Sequence, residues 1–256
     1  MKNKYIRGFP KASLSGYTKY ILGLVWLWTL GITQSTAQKK DIDLFGHDSH
    51  VSWQSPINII TKDVTEGQHQ IDPTYRKSHE HIVHRENTIE VVYDEGSFLT
   101  FDSIQYSFKQ FHFHTPSEHL IDGVTYPMEM HLVHKYRHER SNVSYYFVIS
   151  VLFEMGESNV FLEDIIANIP EEIDETFEFG DKMFDISQLV VQELEDFYFY
   201  TGSLTTEPYT EMVRWAVSQH IMQASSDQIE TLQTNEGNNA RSIQMINGRR
   251  VEVIHH

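Results

Sequence analysis

Alternation with a period of two constrains this chain more than any other feature. Over Ile104–Thr115, Met128–Tyr136 and Tyr145–Phe153, apolar residues recur at every second position or run without a break. Such runs bury one or both faces of a β-strand and do not form the stripe of an amphipathic helix. Shorter β-rich runs cover Thr88–Tyr93, Ser97–Phe101, Phe197–Thr201 and Val213–Val217. Turn signals at Asp94-Glu95-Gly96, Ile121-Asp122-Gly123 and Glu154-Met155-Gly156 separate several of them. Helical patterns are few and short: Val160–Asn168, and Asp227–Gln233 behind the cap candidates Ser225 and Ser226. The expected fold is mainly β (α+β by content), a single domain with a large central, mostly antiparallel sheet and short peripheral helices.

No repeat period or Pro-rich hinge divides residues 38–256, so one domain is expected there. The chain has no cysteine, which excludes disulfides, thiolate nucleophiles and Cys-ligated metals. Any metal site must use His, Asp or Glu. The formal charge of −16 repels phosphate backbones and anionic lipid, so nucleic acid and membrane surfaces are disfavoured partners. The charge is unevenly placed. Residues 1–37 hold Lys2, Lys4, Arg7, Lys11 and Lys19 and no acid, then the apolar run Tyr20–Ile32 and the small residues Ser35-Thr36-Ala37. This order reads as a secretory signal peptide; the apolar run, interrupted by Gly23 and Gly31, falls short of the roughly 20 residues a membrane span needs. Cleavage after Ala37 would remove five basic residues and no acid, taking the charge from −16 to −21. The expected product is an exported protein, periplasmic or extracellular, with no membrane attachment after cleavage.

Within the β pattern lies a histidine constellation. In a strand, residues i and i+2 share a face, so His112 and His114 point the same way, and His131 lies on a second run joined to the first by the Asp122-Gly123 turn. Antiparallel pairing would bring the three rings together, and three neutral imidazoles leave a tetrahedral zinc one open position. With 15 histidines in the chain, about one His-x-His pair is expected by chance. On spacing alone, a metal site and a set of hydrogen-bonded core histidines remain equal readings. His119 and His134 read as hydrogen-bonded core or rim residues, since a fourth ligand would close the open position. His79 and His81 sit in a polar stretch without alternation and read as surface.

The runs QFHFHTPSEH (110–119) and MEMHLVH (128–134), the segment Gly202-Ser203-Leu204-Thr205-Thr206, the block Gln54-Ser55-Pro56-Ile57-Asn58 and the tail from Asn239 to Arg249 together resemble the α-class carbonic anhydrases. The blocks stand in family order from residue 54 to about 253, nearly the whole chain after the expected signal segment. The resemblance implies reversible hydration of carbon dioxide to bicarbonate and a proton by zinc-bound hydroxide, with one zinc ion per chain held by His112, His114 and His131. It implies that Gln110 and Glu129 hold the rings of His112 and His131, and that the backbone around Asn239 holds that of His114. It further implies that Thr205 donates its proton to Glu118 and so selects the reacting oxygen, with Thr206 next along the cleft. Val133, Val148, Leu204, Val213 and Trp215 are the implied apolar surface for carbon dioxide.

Four departures from the family pattern bear on function. Asn87 stands where the family's proton-shuttle histidine is usual, so regeneration would rely on buffer, water chains, His84 or His81. Glu207 stands in Thr205-Thr206-Glu207-Pro208 where a proline is more common, and Tyr209 where many exported relatives have Cys. The segment before Gln54 is short and lacks the family's usual aromatic residues. The alternative function is a catalytically silent carbonic-anhydrase-like binding domain; silent relatives generally lose a zinc histidine, and this chain keeps all three. A histidine-rich metal-sequestering protein is a further reading, which predicts several scattered sites. The sequence leaves the oligomeric state open.

Overall fold

The alternating runs become the long strands of one sheet. The structure is a computed structural model describing residues 52–256; the expected signal segment, residues 1–37, lies outside the described residues. The strands are β1 (Asn58–Ile59), β2 (Thr65–Glu66), β3 (Ile71–Thr74), β4 (Glu80–Arg85), β5 (Thr88–Tyr93), β6 (Phe98–Phe101) and β7 (Ile104–His114). Then come β8 (Leu120–Ile121), β9 (Val124–Thr125), β10 (Met128–Arg137), β11 (Ser144–Met155) and helix α1 (Val160–Ile166). The remainder comprises β12 (Thr176–Glu178), α2 (Ser187–Glu193), β13 (Asp196–Ser203), β14 (Glu211–Ala224), α3 (Ser226–Glu236) and β15 (Glu252–His255).

Twelve strands form the main sheet in the order β12-β4-β5-β7-β10-β11-β14-β13-β15-β2, with β6 also on β7 and β3 on β6. Most neighbours are antiparallel, as expected. The sheet is nonetheless mixed, because β11 pairs with β14 and β15 with β2 in parallel. A parallel pair needs a long crossover; here the chain leaves β11 at Met155 and uses α1, β12, α2 and β13 before entering β14 at Glu211.

Period-two patterning sorts the side chains onto two faces. Phe111 and Phe113 of β7, Met128, Met130 and Leu132 of β10, and Phe147, Ile149 and Val151 of β11 enter the larger apolar core. The residues between them, Gln110, His112 and His114 on β7 and Glu129, His131 and Val133 on β10, take the opposite face. That face is backed by a second apolar cluster around Val148, Leu152, Tyr200, Val213, Trp215 and Val217. The polar stretch near His81, read as surface, forms β4, where alternation is masked by the charged side chains of a strand close to the sheet edge. β14 continues past Val217 to Ala224, across the polar stretch Ser218-Gln219-His220, where the Ser218 hydroxyl accepts from the His220 amide at 3.1 Å.

Helix α3 starts at a full capping box: the Ser225 hydroxyl accepts from the Gln228 amide and the Gln228 side chain accepts from the Ser225 amide. Its buried Ile229 and Leu232 pack into the larger core. Gly237 ends it at φ +72, a left-handed conformation that favours glycine.

Candidate metal centre

The register of β7 against β10 builds the centre. His131 lies opposite His112 and Glu129 opposite His114, so the two strands present His112, His114 and His131 on one face. Their ring centroids are 5.0, 5.3 and 4.6 Å apart, and one nitrogen from each lies within 4.8 Å of the others. Hydrogen bonds select which nitrogen is free. His112 Nδ1 faces Gln110 Oε1 at 3.0 Å, leaving Nε2; His131 Nε2 faces Glu129 Oε1 at 2.6 Å, leaving Nδ1.

These residues fit a zinc-type ion. Burial, reinforced by the neighbouring imidazoles, holds His112 well below the usual histidine range, and burial also lowers His114. Both rings are therefore neutral donors at physiological pH, the form a metal requires. Neither nitrogen of the buried His114 makes a well-formed hydrogen bond. Orphaned buried nitrogens are costly, and a cation at the meeting point of the rings satisfies one of them. Three imidazoles without thiolate are a donor set suited to zinc.

Glu129 organises the surroundings. Its Oε1 accepts from His131 Nε2, His119 Nδ1 and Ser150 Oγ, each at 2.6 Å. Its Oε2 accepts from the backbone amides of Glu118 at 2.7 Å and His119 at 2.8 Å. Burial opposes its charge, but the combined attraction and hydrogen bonds of His119 and His131 outweigh burial and hold the carboxyl well below its usual range. His119 Nε2 lies 2.7 Å from Tyr200 Oη, which is 2.8 Å from Ser55 Oγ. His119, Glu129 and His131 also meet the spacing of a metal group, but their facing atoms are already hydrogen-bonded to one another.

Glu118 is buried beside the rings, its Oε1 3.6 Å from His114 Nδ1 and its Oε2 4.0 Å from His131 Nδ1. Oε1 accepts from the Arg241 amide at 2.8 Å, and Oε2 has no partner. The expected Thr205-to-Glu118 hydrogen bond is thus not formed. Glu118 is turned to the Arg241 amide, while Thr205 sits in a turn closed by Leu204 N to Thr210 O and Tyr209 N to Thr206 O, both 2.8 Å. Thr205 is buried and Thr206 exposed. The apolar candidates Val133, Val148, Leu204, Val213 and Trp215 all fall in the second cluster. The Trp215 ring lies 4.8 Å from His131 and 4.9 Å from His119, with its indole N–H donating to Ser203 O at 3.0 Å.

Asn87 is exposed in the β4–β5 turn. Its carbonyl accepts from Asn239 Nδ2 at 2.8 Å. The Asn239 side chain also donates to Phe113 O and accepts from Thr115 N, both at 3.1 Å. His114 is thereby gripped through its neighbours by the Asn239 side chain, and the Asn239 backbone adds an attraction that favours the protonated ring. The expectation that His84 relays protons is overturned. His84 is buried on the core-facing side, its nitrogens 2.8 Å from Pro170 O and 3.3 Å from Asn235 O. His81 stands across β5 from Gln110 and 3.9 Å from Glu178.

Residues 45–255 match the model of the eukaryotic-type carbonic anhydrases. The chain belongs to the α-class carbonic anhydrase family. The carbonic anhydrase of Neisseria gonorrhoeae is 36% identical over 223 residues, covering 80% of this chain and 84% of that protein. That of Pectobacterium carotovorum is 34% identical over 199 residues, covering 77% and 78%. Among solved structures, the α-carbonic anhydrase of Thermovibrio ammonificans, in complex with the inhibitor sulfanilamide, superposes with a TM-score of 0.71 at 33% identity, covering 78% of this chain and 86% of that one. In this carbonic anhydrase family member, spacing along the sequence assigns no role at the centre to Ser55, Ser150 or Tyr200. Ser150 lies opposite His131 in the β10–β11 register, which strand pairing reveals and spacing does not. Ser55, within the block 54–58, and Tyr200 approach from chain segments 145 residues apart, a contact that no local pattern signals.

Proposed function

We propose that this chain catalyses the reversible hydration of carbon dioxide to bicarbonate and a proton at the three-histidine centre. The observation that carries this reading is the convergence of His112, His114 and His131 nitrogens within 4.8 Å beside an apolar cluster, in a chain of the carbonic anhydrase family. A zinc ion, one per chain, would supply Lewis acidity that brings the pKa of a bound water to about 7, the figure established for carbonic anhydrases themselves. His112, His114 and His131 would hold it as neutral donors. Gln110 and Glu129 fix the tautomers of two of the rings. Val133, Val148, Leu204, Val213 and Trp215 belong to an apolar cluster suited to an apolar, uncharged substrate.

In this reading the buried, unpartnered Glu118 Oε2 is the acceptor for the Thr205 hydroxyl when substrate enters. A hydroxyl that has donated its proton can only accept, so Thr205 then orients the proton of the reacting oxygen. Asn87 cannot carry a proton at neutral pH, and the buried His84 does not face the rings, so proton release relies on external buffer or on His81, which lies across β5 from Gln110. With all three histidines converging, a silent binding domain is disfavoured. We further propose that residues 1–37 are an export signal and that the protein acts in the periplasm or outside the cell; the basic, apolar and small-residue order of that segment supports this.

Metal analysis paired with stopped-flow hydration of carbon dioxide tests the function. The wild type should hold one zinc per chain and hydrate carbon dioxide, and His112→Ala should lose both. A wild type loaded with one zinc per chain that does not exceed the buffer background would overturn the proposal.

A further inference from the structure

Each ring in a three-histidine centre must be aimed, and His114 is aimed differently from its partners. Gln110 holds His112 and Glu129 holds His131. His114 is 3% exposed, and neither of its nitrogens makes a well-formed hydrogen bond; the Asn239 backbone is the group that attracts its ring. Its direction therefore depends on its own backbone and on where Asn239 is placed.

That backbone lies where the sheet splays. The β5–β7 pairing runs from Val92 opposite Gln110 to Glu90 opposite His112 and goes no further. Ile89 N–H, Phe113 C=O and Thr115 N–H, which lie just beyond, need other partners. The end of α3 provides them. Glu236 Oε1 accepts from Ile89 N at 2.9 Å. The Gly237 carbonyl accepts from Thr115 Oγ1 at 3.0 Å. Asn239 accepts from Thr115 N and donates to Phe113 O and Asn87 O. Both residues flanking His114 are thus held by a single short segment.

Glu236 is the costly member of this clasp. It is 3% exposed, and its Oε2 has no partner; burial pushes its carboxyl up to about 8. A buried carboxyl with half its acceptors unused is an expensive way to satisfy one amide. What it provides is reach from the last turn of α3 to the first residues of β5, which places Gly237 and Asn239 against β7.

We infer that Glu236 is a positioning residue of the metal centre: by docking the end of α3 onto Ile89 it lets Gly237 and Asn239 fix the backbone on both sides of His114 and so aim its ring at the shared ion. The inference rests on the three-histidine centre being the metal site.

The test uses the full protein loaded with zinc or, as a spectroscopic probe, with cobalt(II). Metal loss to an excess of a small chelator and the visible spectrum of the cobalt form are the readouts. Glu236→Ala should release metal roughly tenfold faster and alter the cobalt spectrum, in the range for removing a group that supports a ligand. Glu236→Gln, whose amide oxygen still accepts from Ile89, should restore release to within about twofold of wild type. Thr115→Val removes only the hydroxyl that bonds Gly237 and should move both readouts in the same direction, so the inference stays testable if the alanine variant does not fold. Ile229→Val, in the buried face of α3 away from the clasp, should lower stability and leave both readouts unchanged. A Glu236→Ala protein with lowered Tm but wild-type release and spectrum would overturn the inference, as would failure of glutamine to rescue. A wild type that takes up neither metal would refute the proposed function itself, a distinct result.

Discussion

His134 offers a measurable link between core packing and acidity. It is fully buried on the core-facing side of β10, its ring 4.9 Å from that of Phe108. Nδ1 donates to Phe147 O at 3.1 Å, and Nε2 accepts from the Tyr75 hydroxyl. Burial drives its pKa from the ordinary 6.5 to about 3. Between these values the unfolded chain binds a proton that the native protein refuses, so stability is intact above about pH 6.5 and lost as the pH falls toward 3. A tenfold change in proton affinity is worth about 1.4 kcal/mol, so the loss near pH 5 relative to pH 7 is about 2 kcal/mol. Urea unfolding of wild type and His134→Gln at about pH 7 and about pH 5 isolates this contribution, because the other groups cancel in the difference of differences. The wild type should lose about 2 kcal/mol more than the variant over that interval. Equal losses in the two proteins would refute the reasoning.

Thr205→Ala should keep its zinc by metal analysis and lose about two orders of magnitude in hydration rate, the effect of removing a positioned proton-transfer partner; near wild-type hydration would remove Thr205 from the mechanism. Asn87→His places an imidazole at an exposed turn position, so turnover in dilute buffer should rise and its buffer dependence fall, while kcat/KM stays constant; stopped-flow traces over a buffer series decide this. Gly202→Ala would set a Cβ 2.1 Å from Ser55 Oγ and 3.0 Å from the Tyr200 ring. That overpacking should cost about 1–3 kcal/mol, read as a lowered Tm.

The strands that carry the histidines were legible because they lie in the middle of the sheet, where both faces are buried and alternation is strong. Val160–Asn168 and Asp227–Gln233 foretold α1 and α3 within a few residues. What escaped was held by distant contacts. β2 and β15 are short and paired to each other at the sheet edge. α2 has no side-chain cap and buries only Val190 and Glu193, too little for a periodic signal. At the centre, Gln110 and Glu129 stand two residues from the histidines they orient, a spacing visible in a strand. The Asn239 contacts were expected from its backbone, and the side chain makes those that grip Phe113 and Thr115. Glu236 reads in sequence as one more exposed acid at a helix end, and only the splay between β5 and β7 gives it a role.

The grip on His114 and Glu118 comes late along the chain. The Arg241 amide holds Glu118 while its guanidinium donates to Ser55 O, 186 residues away, at 2.6 Å. β15 then lies against β2. A ribosome delivers polypeptide amino end first, so the imidazoles emerge with Gln110 and Glu129 but well before the residues that brace His114 and Glu118. A nascent chain holding everything through β14 still lacks both the Asn239 clasp and the Arg241 anchor. Durable metal capture therefore belongs to the finished molecule, and truncations that spare every ligand but remove the stretch from Glu236 onward should still abolish it.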